Sequence, residues 1–415
     1  MQIPCIKCKG DNPRANCGRD FCPIVAKSDA MYKVSENVSE NFSGSSPAPF
    51  VGRHRYPRIS VGILSPPERT DDAWRYDAPG HWAEKDYAIP ELVRLRSSLV
   101  NSRFRSVVTD AVKHEKLLGI SQEIGMASRP VDVEIQLDRK PSFKVNLDPY
   151  IAPLGPNAQL KKAEITSNPK ISQKVDKVVS DKDLKARDAV EYLYAKSFDE
   201  NFLAKLLSVG TIGVKLQRRL VPTRWSIPAV DDMIGNKLAG EIKDYSQAGC
   251  LAFFGGYLGN YFLVMCFPEV YSYELFETYM PKSSWNVGEK MDYTTDFEPY
   301  AGRKTYAENC GGGFYACRIA VLEKLKEMKR QASVLVVRVI TGEYAVPLGV
   351  WVVREAARKA LQKKPIEFGS KELMMRYAAV LARKKFGFDA DEMLKKSVML
   401  REMKSQMKLG DFHKI

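Results

Sequence analysis

Histidine is scarce in this chain, and its scarcity narrows the chemistry to be expected. Only four histidines occur among 415 residues, and no two of them have the close spacing of a metal-binding pair. They are His54, His81, His114 and His413. A metal site built on histidines, or catalysis centred on an imidazole, is therefore not expected.

Long hydrophobic runs are absent as well. The longest, at 261–267 and 332–337, fall far short of the roughly 20 apolar residues that a membrane-spanning helix needs. The first residues contain cysteine and lysine and lack the apolar core of a secretory signal peptide. We expect a cytoplasmic protein that makes no contact with a membrane.

Periodic patterns are present throughout and predict an α+β (mixed α/β) protein. Alternating apolar residues predict strands at 59–64 and 131–137, and two apolar runs around a glycine-rich turn predict a hairpin over 250–268. Helical spacing is found at 89–104, 314–331 and 349–362. We expect a central mixed sheet with surrounding helices and a helical C-terminal end, whereas the strand order and the oligomeric state stay open.

The eight cysteines fall into two groups. The first group crowds the N-terminus and consists of Cys5, Cys8, Cys17 and Cys22. Four thiolates suit a tetrahedral zinc ion, which would supply the folding energy that so short a segment lacks. An iron–sulfur cluster is the main alternative, and disulfides are disfavoured without a secretory signal. The second group is irregularly spaced in apolar or glycine-rich surroundings and predicts free core thiols at Cys250, Cys266, Cys310 and Cys317.

Positive charge is in excess, with 64 Lys and Arg against 50 Asp and Glu, a formal net charge of +14. Residues 351–415 hold sixteen basic and eight acidic residues, so this short region contributes +8 of the excess. A basic surface of this kind favours DNA, because lysine and arginine neutralise phosphates and release counterions. The alternative is a solvated lysine-rich helical surface.

The segment 217–232 combines arginines, a tryptophan and adjacent carboxylates near the middle of the chain. The residues concerned are Arg218, Arg219, Arg224, Trp225, Asp231 and Asp232. Arginine suits phosphate and tryptophan offers a stacking face, so this segment is a candidate for nucleic-acid or nucleotide binding. The aspartates are candidate catalytic residues with Mg²⁺ or Mn²⁺, joined by Glu298 or Glu343 as a third ligand. The alternative is structural: a helix that starts at Pro228, with both aspartates near its positive end.

A second candidate for phosphate binding is the glycine-rich start of the helix predicted at 314–331. It comprises Arg303, Gly311, Gly312, Gly313 and Arg318. Glycines before a helix expose backbone N–H groups and permit close approach of an anion. The alternative is that the glycines only allow the helix to pack tightly.

The last ten residues contain a short spaced motif, Gln406, Leu409, Phe412 and His413. Residues three apart eclipse in a 3₁₀ turn, so the leucine and the phenylalanine would face one side. The motif resembles the peptide by which repair proteins dock on the sliding clamp, PCNA. That pattern prefers a second aromatic where His413 stands, which predicts a weaker anchor. The alternative is a helix end that packs on its own chain.

Several longer stretches together resemble one protein family, the archaeal Nre family of DNA-repair proteins. The matching stretches are 56–67, 220–232, 312–323 and 347–355. The resemblance implies DNA damage tolerance or repair alongside the sliding clamp, in an archaeal cytoplasm and near the nucleoid. It also implies the N-terminal cysteine cluster and the C-terminal clamp peptide, but it supplies no set of catalytic residues.

Three functions are consistent with these observations. The first is a clamp-bound repair factor that contacts DNA through basic surfaces and the zinc knuckle. The second is a metal- or nucleotide-dependent enzyme acting on phosphates, and the third is a non-catalytic scaffold. The predicted segments are a zinc knuckle at 1–30, a linker at 31–49, the N-terminal part of an α+β body at 50–155, its central part at 156–348, a basic helical region at 349–405 and the clamp peptide at 406–415.

Overall fold

The computed structural model describes residues 15–16, 21–113, 115–141, 153–281, 283, 285–286 and 288–405. These residues form two compact units, the first within Met1–Ile234 with Ala345–Gly349 and the second within Gly235–Tyr344 with Val350–Ile415. No helix in these ranges has both the length and the apolar character needed to cross a membrane.

The first unit alternates helices with short strands. In chain order its elements are α1 (Pro23–Asn37), β1 (Asn41–Ser46), β2 (Ala48–Val51), β3 (Arg58–Ser65), α2 (Pro79–Glu84), α3 (Ile89–Ser97), β4 (Val100–Val107), α4 (Lys116–Met126), β5 (Val131–Leu137), β6 (Asn157–Ile165), α5 (Gln173–Ser180), α6 (Ala186–Tyr194) and α7 (Glu200–Ser208). Helix α8 (Thr223–Ile242) follows, and 3₁₀ turns lie at Asp71–Asp77, Val108–Val112 and Lys215–Gln217.

The six strands of the first unit form one sheet in the order β1-β5-β6-β4-β3-β2. Strands β4 and β6 run parallel, and every other neighbouring pair is antiparallel. Side chains alternate across a strand, so Val61, Ile63, Val133 and Ile135 enter the core from one face. The intervening residues form the outer face of the sheet.

The predicted linker at 31–49 is wrong, because this segment contains the end of α1, strand β1 and the start of β2. A Cβ on Gly44 would lie 2.0 Å from the carbonyl oxygen of Pro66, so only glycine fits there. The neighbouring serines are buried and hydrogen-bonded, Ser45 to Asp132 and Ser46 to the carbonyl of Leu64. The small polar residues of this segment allow close packing. A flexible linker has the same composition, so composition alone does not distinguish the two.

The second unit begins with the remainder of α8 and carries the second sheet. Its elements are β7 (Cys250–Tyr257), β8 (Asn260–Phe267), β9 (Ser272–Tyr279), β10 (Asp292–Glu298), α9 (Gly312–Met328), β11 (Ser333–Ile340), α10 (Trp351–Leu361), β12 (Ile366–Phe368), α11 (Lys371–Phe386), α12 (Ala390–Leu394) and α13 (Val398–Ser405). The strand order is β10-β9-β11-β8-β7-β12, with β9 and β11 parallel and the other pairs antiparallel.

The predicted hairpin over 250–268 is confirmed. Strands β7 and β8 pair directly, and the two residues between them, Leu258 and Gly259, both have positive φ, at 50° and 71°. Two-residue turns of this kind match the twist of the flanking strands. Strand β11 is buried along its whole length, which makes it the centre of this unit's core.

The α+β class is confirmed, but the expectation of one central sheet is wrong, because the described residues form two. The boundary predicted between 155 and 156 is also wrong, since β6 starts at Asn157 and pairs with both β4 and β5. The helix predicted over 89–104 ends at Ser97, and β4 begins at Val100. The C-terminal end is helical apart from the short strand β12.

Candidate nucleic-acid interface

The start of helix α8 places two candidate residues at the surface of the first unit. The amides of Trp225 and Ser226 donate to the carbonyl of Pro222 at 2.7 and 3.0 Å, so the helix begins just after this proline. Thr223 Oγ1 accepts from the amide of Val51 in β2 at 3.0 Å, which joins the helix start to the sheet. Arg224 and Trp225 follow on the first turn, and both are exposed.

Trp225 forms an aromatic pair with Tyr56 from the loop between β2 and β3. The ring centroids lie 5.2 Å apart and the ring planes are inclined by 56°. The loop is held by backbone bonds, because the amide of Val108 donates to Pro57 at 3.1 Å and the amide of Leu220 donates to Val108 at 2.8 Å. The pair is thus a fixed feature of the surface, although Tyr56 is 54% and Trp225 43% exposed.

Arginines line the outer face of the adjoining strands β3 and β4. In the register of this pair Ser60 faces Arg105, and Gly62 faces Arg103. A Cβ on Gly62 would lie 2.0 Å from Asn101 Oδ1 and 3.3 Å from Cγ of Arg103, so glycine is needed under these side chains. Serine and glycine therefore form a low floor between the arginines of this sheet face.

The arginines of this region lack compensating charge. Arg53, Arg55, Arg58, Arg103, Arg105 and Arg224 make no hydrogen bond or ion pair through their guanidinium groups within the described part of the chain. No Asp or Glu occurs in β2, β3 or β4. Burial lowers the pKa of Arg103, which is half-buried without a carboxylate beside it. A partly desolvated cation of this kind is suited to receive an anion.

We call this region the arginine–aromatic surface. It consists of the outward-facing side chains of Arg53, Arg55, Tyr56, Arg58, Arg103, Arg105, Arg224 and Trp225. Guanidinium groups bind phosphate oxygens in a fork, and exposed aromatic rings can stack on bases. The chemistry of the surface therefore suits a nucleic-acid chain.

The other half of the same sheet has balanced charge. Glu134 on β5 pairs with Arg69 at 3.2 Å. Glu164 on β6 accepts from Lys162 at 3.0 Å and from Lys116 at 3.4 Å. Strands β5 and β6 together thus carry carboxylates beside basic residues, whereas β3 and β4 carry arginines and no carboxylate.

Arg218 and Arg219, also predicted to bind phosphate, are directed at the protein's own backbone. Arg218 donates to the carbonyls of Gly213, Val179 and Asp181 at 2.7 to 2.9 Å. Arg219 donates to the carbonyls of Leu216 and Arg218 at 3.0 and 2.8 Å. These contacts fix the chain before α8, and they assign both arginines a structural role.

The two aspartates do not lie at a helix start. Pro228 is the sixth residue of α8 and lies inside the helix, so Asp231 and Asp232 are its ninth and tenth residues. The structural alternative, a helix that begins at Pro228, is therefore wrong, because the helix starts one and a half turns earlier, after Pro222. Asp231 is buried, with only 1% of its surface exposed.

A three-ligand metal site around these aspartates is not seen. The described residues contain no group of three His, Cys, Asp or Glu arranged to hold a metal ion. The two carboxylates considered as third ligands have other partners: Glu298 accepts from Arg318 at 2.7 Å, and Glu343 accepts from Tyr261 at 2.9 Å.

The glycine-rich start of α9 is filled by the protein's own carboxylates. A Cβ on Gly313 would lie 2.3 Å from Glu277 Oε1, and the amide of Cys310 donates to Asp296 Oδ2 at 2.8 Å. Gly311 precedes the helix with φ 57°, a conformation that favours glycine. Gly311 and Gly312 are half-buried, and Gly313 is buried. The geometry supports tight packing rather than a phosphate cradle.

The arginines predicted for that cradle are neutralised as well. Arg318 is 1% exposed and donates to Glu298 at 2.7 Å and to Asn236 at 2.9 Å. Arg303 lies 3.3 Å from Asp296 and donates to the carbonyl of Phe297 at 2.6 Å. Neither side chain presents an uncompensated charge to a ligand.

The prediction of free core thiols is confirmed for all four residues of the second cysteine group. Burial raises the pKa of Cys266 and Cys317 to about 12, so these thiols stay protonated and unreactive. Of the N-terminal cluster, Cys22 is half-buried and precedes α1. Cys5, Cys8 and Cys17 lie outside the described residues, as does the clamp peptide at 406–415 with Gln406, Leu409, Phe412 and His413.

Much of the arginine–aromatic surface was missed by sequence reasoning. Extending a helix to residue 104 concealed the alternation Arg103, Phe104, Arg105, which places both arginines on one face of a strand. Tyr56 lies 169 positions before Trp225, and no local pattern indicates that the two rings meet. The alternation was readable, whereas the pairing of the rings required the fold.

The first unit is therefore an α+β module that presents an uncompensated arginine and aromatic surface of the kind that binds polyanions. Family models described as "Archaeal Nre, N-terminal" and "Archaeal Nre, C-terminal" match residues 16–286 and 298–412. The chain belongs to the archaeal Nre family, which confirms the resemblance seen in its sequence.

Proteins similar to this chain are known from two archaea. "DNA repair protein NreA" of Haloferax volcanii is 39% identical over 327 residues, 77% of this chain and 78% of the relative. "DNA repair protein NreA" of Archaeoglobus fulgidus is 39% identical over 372 residues, 89% of this chain and 91% of the relative. "DNA repair protein NreB" of the same organism is 34% identical over 400 residues, 96% and 97% of the two chains. No solved structure matches the chain.

Proposed function

We propose that this protein is a DNA-repair factor that binds DNA through the arginine–aromatic surface of its first unit. The names of its relatives support a role in DNA repair. The observation that carries DNA contact is the set of six arginines without a partner among the described residues. Arg69, by contrast, is paired with Glu134 on β5 of the same unit.

Phosphate neutralisation gives this proposal a measurable signature. Each cation that contacts a phosphate of a single strand contributes about −0.7 to the slope of log affinity against log salt concentration, and about −0.9 for a duplex. Removing Arg103 and Arg105 together therefore reduces the slope by about 1.4 to 1.8 and weakens binding at every sequence.

Fluorescence anisotropy with labelled oligonucleotides over a series of salt concentrations tests the proposal. The variant is Arg103→Ala with Arg105→Ala, and the matched control is Arg69→Ala, which removes an arginine of the same unit that is paired with Glu134 on β5. We expect loss of affinity in the double variant and little change in the control. Equal behaviour of the two proteins, or no binding by the wild type at low ionic strength, would contradict the proposal.

We also propose that residues 406–415 bind the sliding clamp, PCNA. The support is the motif itself and its position directly after α13. Clamp binding would keep the protein near replicating DNA and raise the effective concentration of DNA at the arginine–aromatic surface.

We further propose a zinc ion held by Cys5, Cys8, Cys17 and Cys22. The fit rests on the donor set, because four thiolates satisfy tetrahedral zinc. Cys22 is the residue that precedes the first turn of α1, where the exposed N–H groups of a helix favour a negatively charged ligand. Basic residues around the cysteines, such as Lys7 and Arg19, suit a knuckle that contacts DNA.

A further inference from the structure

We infer that the arginine–aromatic surface takes a single strand of DNA, with an unpaired base stacked on the Tyr56–Trp225 pair. This inference rests on the proposed DNA contact and specifies the form of DNA that is bound. It assigns the rings to the base and the arginines to the phosphates. The ligand is thus unpaired DNA, as found at gaps, strand ends and damaged sites.

Both rings of the pair are exposed. Tyr56 is 54% and Trp225 is 43% exposed, although each is large enough to contribute strongly to a core. Two rings that covered each other would lie parallel, but these planes are inclined by 56°. Each ring therefore keeps surface that a flat aromatic group of a ligand can cover.

Basic residues neighbour both rings of the pair. Arg55 and Arg58 lie on either side of Tyr56 in the chain, and Arg224 precedes Trp225, so each ring has exposed arginines as near neighbours in sequence. An apolar partner protein would not require this concentration of uncompensated charge. A ligand that combines flat aromatic groups with regularly spaced anions matches both features, and a nucleic-acid strand has that composition.

The state of the bases decides between a single strand and a duplex. Bases in a duplex are stacked on both faces, so neither face is free to stack on a protein ring. Stacking on an aromatic side chain contributes about 1 to 3 kcal/mol per base, which corresponds to about 5- to 150-fold in affinity. Only an unpaired base gains this contribution, so the pair should favour single-stranded over duplex DNA.

The platform is preorganised for such a ligand. The loop that carries Tyr56 is fixed to Val108 by the bond that Pro57 accepts, and Val108 in turn accepts from Leu220, just ahead of α8. Thr223 joins the start of α8 to β2. Because the rings are already in position, binding does not have to order them, and more of the stacking energy appears as affinity.

The experiment compares a labelled single strand of about 15 nucleotides with its duplex, using the full-length protein and anisotropy at low salt. The variants are Trp225→Ala, Tyr56→Ala and Trp225→Phe, and the matched control is Trp74→Ala, since Trp74 is exposed to a similar extent at 40%. We expect Trp225→Ala to weaken single-strand binding about 5- to 150-fold and duplex binding by less than about threefold. Trp225→Phe should retain most of the affinity, and Trp74→Ala should change neither.

A second experiment replaces each nucleotide of the strand in turn by an abasic one and measures the affinity. If the two rings served only the stability of the protein, removing a base from the DNA would not change the affinity. At one position, loss of the base should weaken binding by the wild type as much as Trp225→Ala weakens binding to the intact strand. In the Trp225→Ala variant, loss of the same base should cause no further decrease in affinity. This second measurement uses wild-type protein, so it stays decisive if the alanine variants fold poorly.

The outcomes separate the inference from the proposed function. The inference is overturned if Trp225→Ala loses single strand and duplex equally, if no abasic position matters, or if an RNA strand of the same sequence binds more tightly. If the wild type binds DNA and the Arg103→Ala, Arg105→Ala variant weakens it while the ring variants do not, the inference fails and the proposed function stands. If the wild type binds no DNA, both fail.

Discussion

The carboxylate of Glu274, in strand β9, accepts a hydrogen bond from the hydroxyl of Ser397 and caps helix α13. The amides of Val398 and Met399 also donate to it, each at 3.0 Å. Glu274 is completely buried, and burial raises the pKa of its carboxyl group while these hydrogen bonds counteract the shift. The helix that leads to the predicted clamp peptide is thus fastened to strand β9 of the second unit's sheet.

Replacing Glu274 tests this anchor. Glu274→Ala leaves the Ser397 hydroxyl and two amides without their acceptor, so we expect the free energy of unfolding to fall by about 2 to 3 kcal/mol. Urea denaturation measures the loss, and hydrogen exchange should show faster exchange in α13. The control is Glu392→Ala, which removes a surface carboxylate that pairs with Lys395. Equal stability of the two variants would show that the cap has no energetic role.

Two helical glycines should respond in opposite directions to alanine. Gly119 in α4 has open space where a Cβ would stand, so Gly119→Ala should stabilise the protein by about 0.5 to 1 kcal/mol. A Cβ on Gly313 would press on Glu277, which is buried and paired with Arg338 and so has no room to move. Gly313→Ala should therefore destabilise by about 1 to 3 kcal/mol. Thermal unfolding of both variants measures the two changes in stability. Stabilisation by Gly313→Ala would refute the interpretation that the glycines at the start of α9 serve tight packing.

The contribution of Asp110 should depend on pH. Its Oδ2 accepts from the amide of Val107 at 3.0 Å, and Lys113 Nζ lies 2.7 Å from its Oδ1. The hydrogen bond with Lys113 lowers the pKa of Asp110, and the bond from Val107 adds to this against the effect of burial. A carboxyl whose folded pKa is lowered stabilises the protein above its unfolded pKa of about 3.9.

We therefore expect Asp110→Asn to lower the free energy of unfolding by about 1 kcal/mol at neutral pH. The difference from wild type should stay constant from about pH 7 to 5 and shrink as the pH falls below about 4, where Asp110 itself becomes protonated. Denaturation curves over this pH range provide the measurement. A difference that grows on acidification would exclude the assigned role.

Substitution of Phe412, the expected anchor residue, tests whether the predicted clamp peptide binds PCNA. Phe412→Ala should weaken binding of the full-length protein to PCNA by about 30-fold or more, because a buried aromatic anchor typically contributes at least about 2 kcal/mol. His413→Tyr should strengthen binding, since an aromatic residue at this position restores the pattern of the motif. Isothermal titration calorimetry with purified clamp measures both, and undiminished binding of Phe412→Ala would remove the clamp from the proposed function.

The proposed zinc site is tested by measuring the metal content of the wild type and of a cysteine variant. Purified protein should contain about one zinc ion per chain, and Cys8→Ser should remove most of it, because three thiolates hold zinc less tightly than four. Cys310→Ser serves as the control, since this buried thiol belongs to the core. Elemental analysis decides the question. Iron with sulfide would establish the alternative cluster, and full zinc content in Cys8→Ser would show that these cysteines do not bind it.

Local patterns predicted several elements of the fold but not its division into two sheets. The strands at β3 and β5 and the β7–β8 hairpin were readable because alternation and turn residues act over a few positions. The pairing of β6 with β4 was not, because it joins Asn157 to Asn101 across more than fifty residues. Nor was the role of Gly44, since the atom that excludes a side chain there belongs to Pro66.

The candidate site was predicted in part. Arg224 and Trp225 were recognised from residue type and lie at the surface as expected. Arg318 was equally plausible from its sequence, but its charge is cancelled by Glu298, twenty positions away in the chain. Residue type indicates what a side chain can bind, whereas only the fold decides whether it is already occupied by the protein itself.

If the first unit binds DNA as proposed, the extent of the positive half of its sheet limits how many nucleotides the protein contacts. Neighbouring strands lie about 4.8 Å apart, so β2, β3 and β4 with the adjoining loop span roughly 10 to 15 Å, enough for a few nucleotides. Beyond β4 the paired charges of Glu134 and Glu164 offer no net attraction. A short footprint makes affinity nearly independent of DNA length, and it suits a protein that finds one exposed interruption rather than one that coats a continuous strand.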